Sequence, residues 1–287
     1  MTDPELVRAS RRAWAGLEVL HVVGYFAEET TAEYVDLGLH PRLSYFASRA
    51  AAMGAVGPRV SEATFYVFAP WLHQKALPAA WRVTTPERLV QARRTGMAKA
   101  LERIVGATPD VSEALTLARR VCDGLTAPGR PLYAGHAGLD WPDDDLLALW
   151  HAATLVREHR GDGHVAVLTA TGLDPVAATV LDGVWSGRTG FLHKTRGWTD
   201  EEFAAASTRL VDRGWLNDGG SLTDKGRNTR EHVEARTDEA GIAGWAHLGL
   251  EDTRRLAELV APVRDAVLDS GVLPSEIANA LRSVATS

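Results

Sequence analysis

Apolar residues recur at three- and four-residue intervals along most of this chain, and that period is the strongest constraint on its fold. In "PELVRASRRAWAGLEVLHVVGYF", residues 4–26, Leu6, Trp14, Leu17, Leu20 and Val23 fall at helical spacing. In "TTPERLVQARRTGMAKALERIV", residues 84–105, Thr85 is placed to cap a helix, with Pro86 at its first position and Glu87 in its first turn. "WPDDDLLALWHAATLVREH", residues 141–159, sets Asp143, Asp144 and Asp145 in a first turn, where the helix dipole favours anions. Its apolar stripe runs Leu146, Leu149, Trp150, Ala153 and Val156. Long segments alternating at period two are absent, so the expected fold is mainly α.

Pro128 to Pro142, "PGRPLYAGHAGLDWP", is rich in Gly and Pro and reads as a connector. The expected organisation is an N-terminal helical half (1–127), the connector (128–142), a second half (143–240) and C-terminal helices (241–287). The halves are weakly alike. Trp14 stands 24 residues before "GLHP" and Trp150 stands 22 before "GLDP", while Phe65 answers Phe203 and Leu72 answers Leu210. A degenerate tandem repeat would set two helical units face to face across a cleft.

The clearest local motif spans residues 198–238. Thr199 and Glu202 form a capping box, Phe203, Leu210 and Val211 give the buried side, and Gly214 ends the helix. "WLNDGGSLT" then reads as a short β-wing, and Thr223 starts the next helix. Through "LVDRGWL" and "LTDKGR" this segment resembles the winged helix of the MarR-type regulators. Over most of its length the chain also resembles the actinobacterial SalK-like helix-turn-helix proteins. The residues carrying that likeness are "LGLHPRLSYFASRAAAMGAV", "GRPLYAGHAGLDWP", "LWHAATLVREHRGDGHVAVLTATGLDP", "RGWTDEEFAAASTRLVDRG" and "LTDKGR". The resemblance implies a winged-helix fold and, from members found among specialised-metabolite genes, small-molecule chemistry; it implies no mechanism.

Charge argues against DNA as the partner. The net charge is -6, so the bulk field does not draw the chain to nucleic acid or anionic lipid. From Trp198 to Gly214, Asp200, Glu201, Glu202 and Asp212 outnumber Arg209 and Arg213, and the wing tip carries no Lys or Arg. Lys225, Arg227 and Arg230 on the following helix keep a regulator open as the alternative. The lone Cys122 excludes an internal disulfide and a Cys-based zinc site. The polar N-terminus and the lack of a long apolar run lead to the expectation of a cytoplasmic protein without a membrane partner.

The candidate site is "LVREHRGDGHVAVL", residues 155–168. Gly161 and Gly163 predict a helix end or kink, with Asp162 capping a new helix beyond it. On that reading Arg157 and Arg160 satisfy carbonyls or pair with Glu158. Capping leaves His159 and His164 over, and imidazoles beside carboxylates suit proton transfer. The candidate acid–base set is His159, His164, Glu158 and Asp162. Candidate ligand contacts are Arg157, Arg160, Arg49, His21, Tyr25, Trp150 and His136, the arginines suiting an anionic group. Five-residue spacing of the histidines is poor for chelation, so no metal is expected, and no P-loop or G-x-G-x-x-G fingerprint calls for a nucleotide cofactor. The preferred reading is a winged-helix-derived protein that binds a small molecule, with acid–base catalysis as its enzymatic form and a homodimer as its assembly. The alternative is a MarR-like, ligand-responsive regulator binding DNA. A third is a protein-interaction scaffold.

Overall fold

The computed structural model describes residues 3–106 and 110–286. Among them the chain forms sixteen α-helices. The first six are α1 (Pro4–Phe26), α2 (Glu28–Asp36), α3 (Ser44–Ala50), α4 (Pro58–Thr64), α5 (Pro70–Val83) and α6 (Pro86–Val105). Next come α7 (Ser112–Asp123), α8 (Pro131–Ala137), α9 (Asp145–Ala170), α10 (Pro175–Ser186), α11 (Thr189–Arg196) and α12 (Asp200–Asp212). The last four are α13 (Asp224–Gly241), α14 (Ala243–Leu248), α15 (Leu250–Asp269) and α16 (Ser275–Thr286). No helix among the described residues is by itself long and apolar enough to cross a membrane.

The helix starts follow from side chains that accept the first free amides. Thr85 caps α6, Asp144 caps α9, Asp174 caps α10 and Thr223 caps α13. Thr199 and Glu202 make both bonds of the capping box at α12. The stops are as regular where "GLHP" and "GLDP" occur. Gly38 (φ 84) and Gly172 (φ 68) take the left-handed conformation that glycine tolerates. In each, the next leucine is buried and donates its amide back into the preceding helix, Leu39 to Tyr34 O at 3.0 Å and Leu173 to Leu168 O at 3.1 Å. Beyond these turns the parallel loosens. Phe65 lies at the end of α4, whereas Phe203 lies inside α12.

The expected β-wing is absent. Among the described residues there is no β-strand, only one antiparallel bridge between Leu216 and Leu222. The backbone explains this. The amides of Trp215 and Leu216 both donate to Leu210 O, at 2.8 and 3.2 Å, closing the last turn of α12. The Asn217–Ser221 turn closes on itself, and Asn217 Oδ1 accepts from the Ser221 amide at 3.0 Å. Only the Asn217 amide to Ser221 O, at 2.9 Å, and the Thr223 amide to Trp215 O, at 3.1 Å, cross the turn, which makes one bridge and no longer ladder. The MarR-type winged helix, and the winged-helix fold implied by the SalK-like resemblance, are corrected to an all-α arrangement with a single bridged turn.

Three apolar clusters form the interior. The largest joins α1, α6, α7 and α9 to α14, α15 and α16. The C-terminal helices therefore return to the start of the chain, and α15 lies along α1 so closely that a Cβ on Gly16 would stand 2.6 Å from Val260 Cγ2. The second cluster gathers Tyr34, Phe46, Phe65, Leu77 and Leu89 from α2 to α6. The third holds Leu168 at the end of α9 against Leu181, Phe203, Leu210 and Val233. Helix α9 touches the first and third clusters, so the charged stretch lies between them.

Two glycine substitutions test the packing at the bridged turn. A Cβ on Gly226 would overlap the Trp215 carbonyl, so Gly226→Ala should destabilise by about 1–3 kcal/mol in chemical denaturation. Exposed Gly190 has open space around it, so Gly190→Ala should gain up to about 1 kcal/mol through helix propensity alone.

Candidate functional site

The stretch from Leu155 to Leu168 is uninterrupted helix, because α9 runs from Asp145 to Ala170. The predicted break at Gly161 and Gly163 is corrected. Gly163 serves close approach: a Cβ there would stand 2.7 Å from Arg130 Nη1 and 3.1 Å from the Ala240 side chain. Unbroken helical register then sorts the polar residues by face. Five residues turn about 140°, so His159 and His164 look in different directions.

Glu158 occupies the centre and is 1% exposed. Arg49 Nη2 donates to both its oxygens, at 3.1 and 3.0 Å, and Arg157 Nη1 donates to Oε2 at 2.5 Å. Burial alone would raise this carboxyl, but Arg157 and then Arg49 hold it well below the usual range. Arg49 comes from α3, where it is buried. Its guanidinium also lies over the rings of Phe65, Tyr45 and Tyr25 at 4.4, 5.4 and 5.5 Å.

The hydrogen bonds around Glu158 fix the state of His21. Thr154 spends its hydroxyl proton on Trp150 O at 3.0 Å, so its oxygen accepts from His21 Nδ1–H, also at 3.0 Å. His21 Nε2 is then the acceptor, and Tyr25 donates to it at 2.6 Å. Burial, reinforced by Arg157, holds this imidazole neutral by lowering it well below its ordinary value. Glu18 completes the group, 3.7 Å from Arg157. Burial raises its carboxyl.

A third arginine meets no such answer. Arg93 is 3% exposed. It lies over the rings of Trp150 and Tyr25 at 5.0 and 6.0 Å, has no carboxylate at salt-bridge distance among the described residues, and leaves Nη2 buried and unpaired. Beside it are His136 and His151, each with a buried, unpaired Nε2, and Trp150, whose Nε1 is likewise unpaired. Burial, then the Arg93 charge, keeps His136 well below its ordinary range. Burial first, with Arg94 and Arg93 after it, pushes His151 down to about 4. Unpaired buried nitrogens are costly, and their concentration at one place is unusual.

The sequence reading missed Arg93, His151, Tyr45 and Glu18. For Arg93 there was a signal. The stripe that buries α6 is Leu89, Ala92, Gly96, Met97, Ala100 and Leu101, and Arg93 sits on it.

The remaining predicted residues disperse. Asp162 is a cap, but of α8 rather than of its own helix: Oδ2 accepts from the amides of Leu132 at 3.1 Å and Tyr133 at 2.9 Å. Arg160 pairs with Glu234 and with Asp238 at 3.0 Å, and lies over Trp14 at 4.6 Å. His159 packs edge-on against Tyr133 at 5.1 Å. His164 bonds Thr237 on α13 at 2.9 Å. Structure thus brings Glu158, Arg157, Arg49, His21 and Tyr25 together, with His136 and Trp150 beside Arg93. Of the proposed acid–base set, only Glu158 stands in that centre.

The surface of α12 is acidic. The exposed face of α12 presents Asp200, Glu201, Glu202 and Asp212. Arg209 is held by Asp174 at 3.0 Å, and Arg213 lies over Trp215 and donates to Gly172 O at 2.8 Å.

A helix-turn-helix family matches residues 10–274 of the chain. No curated protein and no solved structure matches it.

Asp162 yields a test with a sign. Asp162→Ala should cost about 1–3 kcal/mol by stranding two buried amides. Asp162→Asn keeps an acceptor oxygen and should cost far less. Burial pushes the Asp162 carboxyl up to about 6, so the folded state holds its proton more tightly than the unfolded state. Wild-type stability should therefore fall relative to Asp162→Asn as pH rises from about 4 to about 6. Urea midpoints of both proteins across that range check the slope.

Proposed function

Because the chain belongs to that helix-turn-helix family, we propose that it is a ligand-responsive regulatory protein whose effector is a small anionic molecule bound at Arg93. One observation carries this reading. A fully buried guanidinium without a carboxylate is an uncompensated charge, and proteins seldom keep one without an anion to meet it. In the buried centre three arginines, Arg49, Arg93 and Arg157, face two carboxylates, Glu18 and Glu158. An anion on Arg93 would balance them.

The neighbours suit such a ligand. The Trp150 indole N–H is a donor for an anionic oxygen. Neutral His136 and His151 each offer one ring nitrogen, as donor or acceptor according to tautomer. Arg49 and Arg157 are already clamped on Glu158. Helix α9 carries Trp150, His151 and Arg157 and ends in the third apolar cluster, so the surroundings of Arg93 and that cluster share one rigid element.

A second reading, duplex DNA as the partner, is favoured by family membership and by exposed Lys194, Lys225 and Arg227 on α11 and α13. The acidic face of α12 opposes it, since phosphate contacts supply most non-specific affinity. We therefore expect no complex with a generic duplex tighter than micromolar at physiological salt. A tighter complex whose affinity drops steeply with added salt would favour this second reading.

For the ligand, the probes are sulfate, phosphate and acetate, read by thermal unfolding at constant ionic strength. At least one should raise the midpoint of the wild type, corresponding to about 2.7 kcal/mol of added stability when present at a hundred times its Kd. Arg93→Gln should abolish that shift. It should also leave the unliganded protein as stable as the wild type, or more so by about 1 kcal/mol, because it removes an unmatched charge. A variant that is destabilised yet keeps the full anion shift would sink the proposal.

A further inference from the structure

Away from Arg93, a cavity lies where α9, α10, α11 and α13 meet the loop after α4. Its volume is about 200 Å³. The walls are apolar, with Val67, Leu168, Leu181 and Leu192 among them, and the polar lining includes His164, Asp182, Arg196 and Arg230.

The charges do not cancel. Asp182 is shared by Arg188 at 3.4 Å and Arg230 at 3.2 Å, and Arg230 also holds Glu234 at 2.7 Å. Arg196 has no carboxylate at salt-bridge distance among the described residues. Its guanidinium lies over the Phe68 ring at 4.6 Å and donates once, to Thr195 Oγ1 at 3.1 Å. The side chain is half-buried at the cavity, so its charge is only partly returned to water. With Asp182 answered by its own arginines, Arg196 leaves the cavity a net cation with donors to spare.

His164 has a definite polarity. Thr237 gives its hydroxyl proton to Val233 O at 2.7 Å, so its oxygen accepts from His164 Nδ1–H at 2.9 Å. Nε2 is then the lone-pair edge of a neutral ring, and burial, with Arg160, pushes the imidazole down to about 4. What His164 asks for is a hydroxyl donor. What Arg196 asks for is a carboxylate.

We propose that this cavity is a second ligand site that takes a short, branched aliphatic hydroxy acid, its carboxylate on Arg196 and its hydroxyl donating to His164 Nε2. The size agrees. A liquid water occupies about 30 Å³, so the space equals about seven waters, the scale of a short-chain acid. Branched leucine and valine walls suit an aliphatic body. Occupancy would bear on the seam between the two parts of the fold. The loop lining the cavity is fastened to the helix-turn-helix segment by Tyr66 to Leu173 O at 2.6 Å, Trp198 to Val67 O at 3.0 Å, and the Ala69 amide to Arg196 O at 2.9 Å.

The test is calorimetric titration of the full chain with 2-hydroxy-4-methylpentanoate, with 4-methylpentanoate lacking the hydroxyl, and with the amide of the hydroxy acid lacking the charge. The hydroxy acid should bind most tightly, each control about 10-fold or more weaker, as expected for one hydrogen bond or one charge pair. Arg196→Gln should weaken the acid by at least about 10-fold and the amide little. His164→Leu should erase the preference for the hydroxyl, and it decides the matter alone if Arg196→Gln fails to fold. Arg93→Gln should change nothing here, which separates this site from the one proposed above. No binding up to about 10 mM, binding indifferent to both cavity variants, or binding lost only with Arg93→Gln would each overturn the proposal.

Discussion

The clasp of Arg49 on Glu158 is the constraint around which the interior is arranged. Two charges taken out of water lose several kcal/mol of solvation each, and only close geometry with further hydrogen bonds returns it. Each neighbour meets part of that demand. Arg157 adds a second cation on the carboxylate, Tyr25, Tyr45 and Phe65 present ring faces to Arg49, and the Thr154–His21–Tyr25 chain orders the remaining polar edge. Helices α1, α3 and α9 are thereby fixed relative to one another by polar groups, while leucines and alanines fill the space around them. Removing Glu158 would leave the buried Arg49 guanidinium without a carboxylate and Arg157 with Glu18 alone, so the same contact that orients the helices also makes their arrangement intolerant of error.

Helices and their ends were legible in the sequence because their causes are local. Thr85, Thr199 and Thr223 cap where capping chemistry places them, and Gly38 and Gly172 stop helices where a left-handed residue is needed. Gly161 and Gly163 misled because a glycine within a helical pattern has two meanings, a break or a close neighbour, and for Gly163 only the position of Arg130 shows that it is the second. Once α9 is continuous, rotation about its axis turns His159 and His164 away from Glu158, while Asp162, one turn beyond Glu158, is taken up by the amides of α8. The wing was misread for a related reason. "WLNDGGSLT" specifies a turn, but the amides of Trp215 and Leu216 are drawn back to Leu210, which no residue type announces. Arg93 was visible as a charge on an apolar stripe, a stronger signal than its neighbours in a crowded charged segment.

Membership of a helix-turn-helix family describes an arrangement of helices, and the surface chemistry then determines what that arrangement can touch. Here α12 faces outward with carboxylates, and its arginines serve the fold: Arg209 holds the start of α10 and Arg213 braces the turn at Gly172. The unsatisfied cations lie inside instead, Arg93 toward one end of α9 and Arg196 near the other. A helix of 26 residues is about 39 Å long. Both inner sites flank that single rod, so a change in its tilt at one would be felt at the other.

The capping of α8 by Asp162 has a bearing on how the chain is made. Seven residues are too few to hold a helix unaided, and the acceptor for its first amides lies about thirty positions downstream. At about 5–20 residues per second, a ribosome releases residues 131–137 a few seconds before it supplies Asp162. During that interval the segment has no means of becoming helical on its own account. Biogenesis therefore sets an order that the finished fold conceals, in which the long helix must leave the exit tunnel before the short one preceding it can gain its cap.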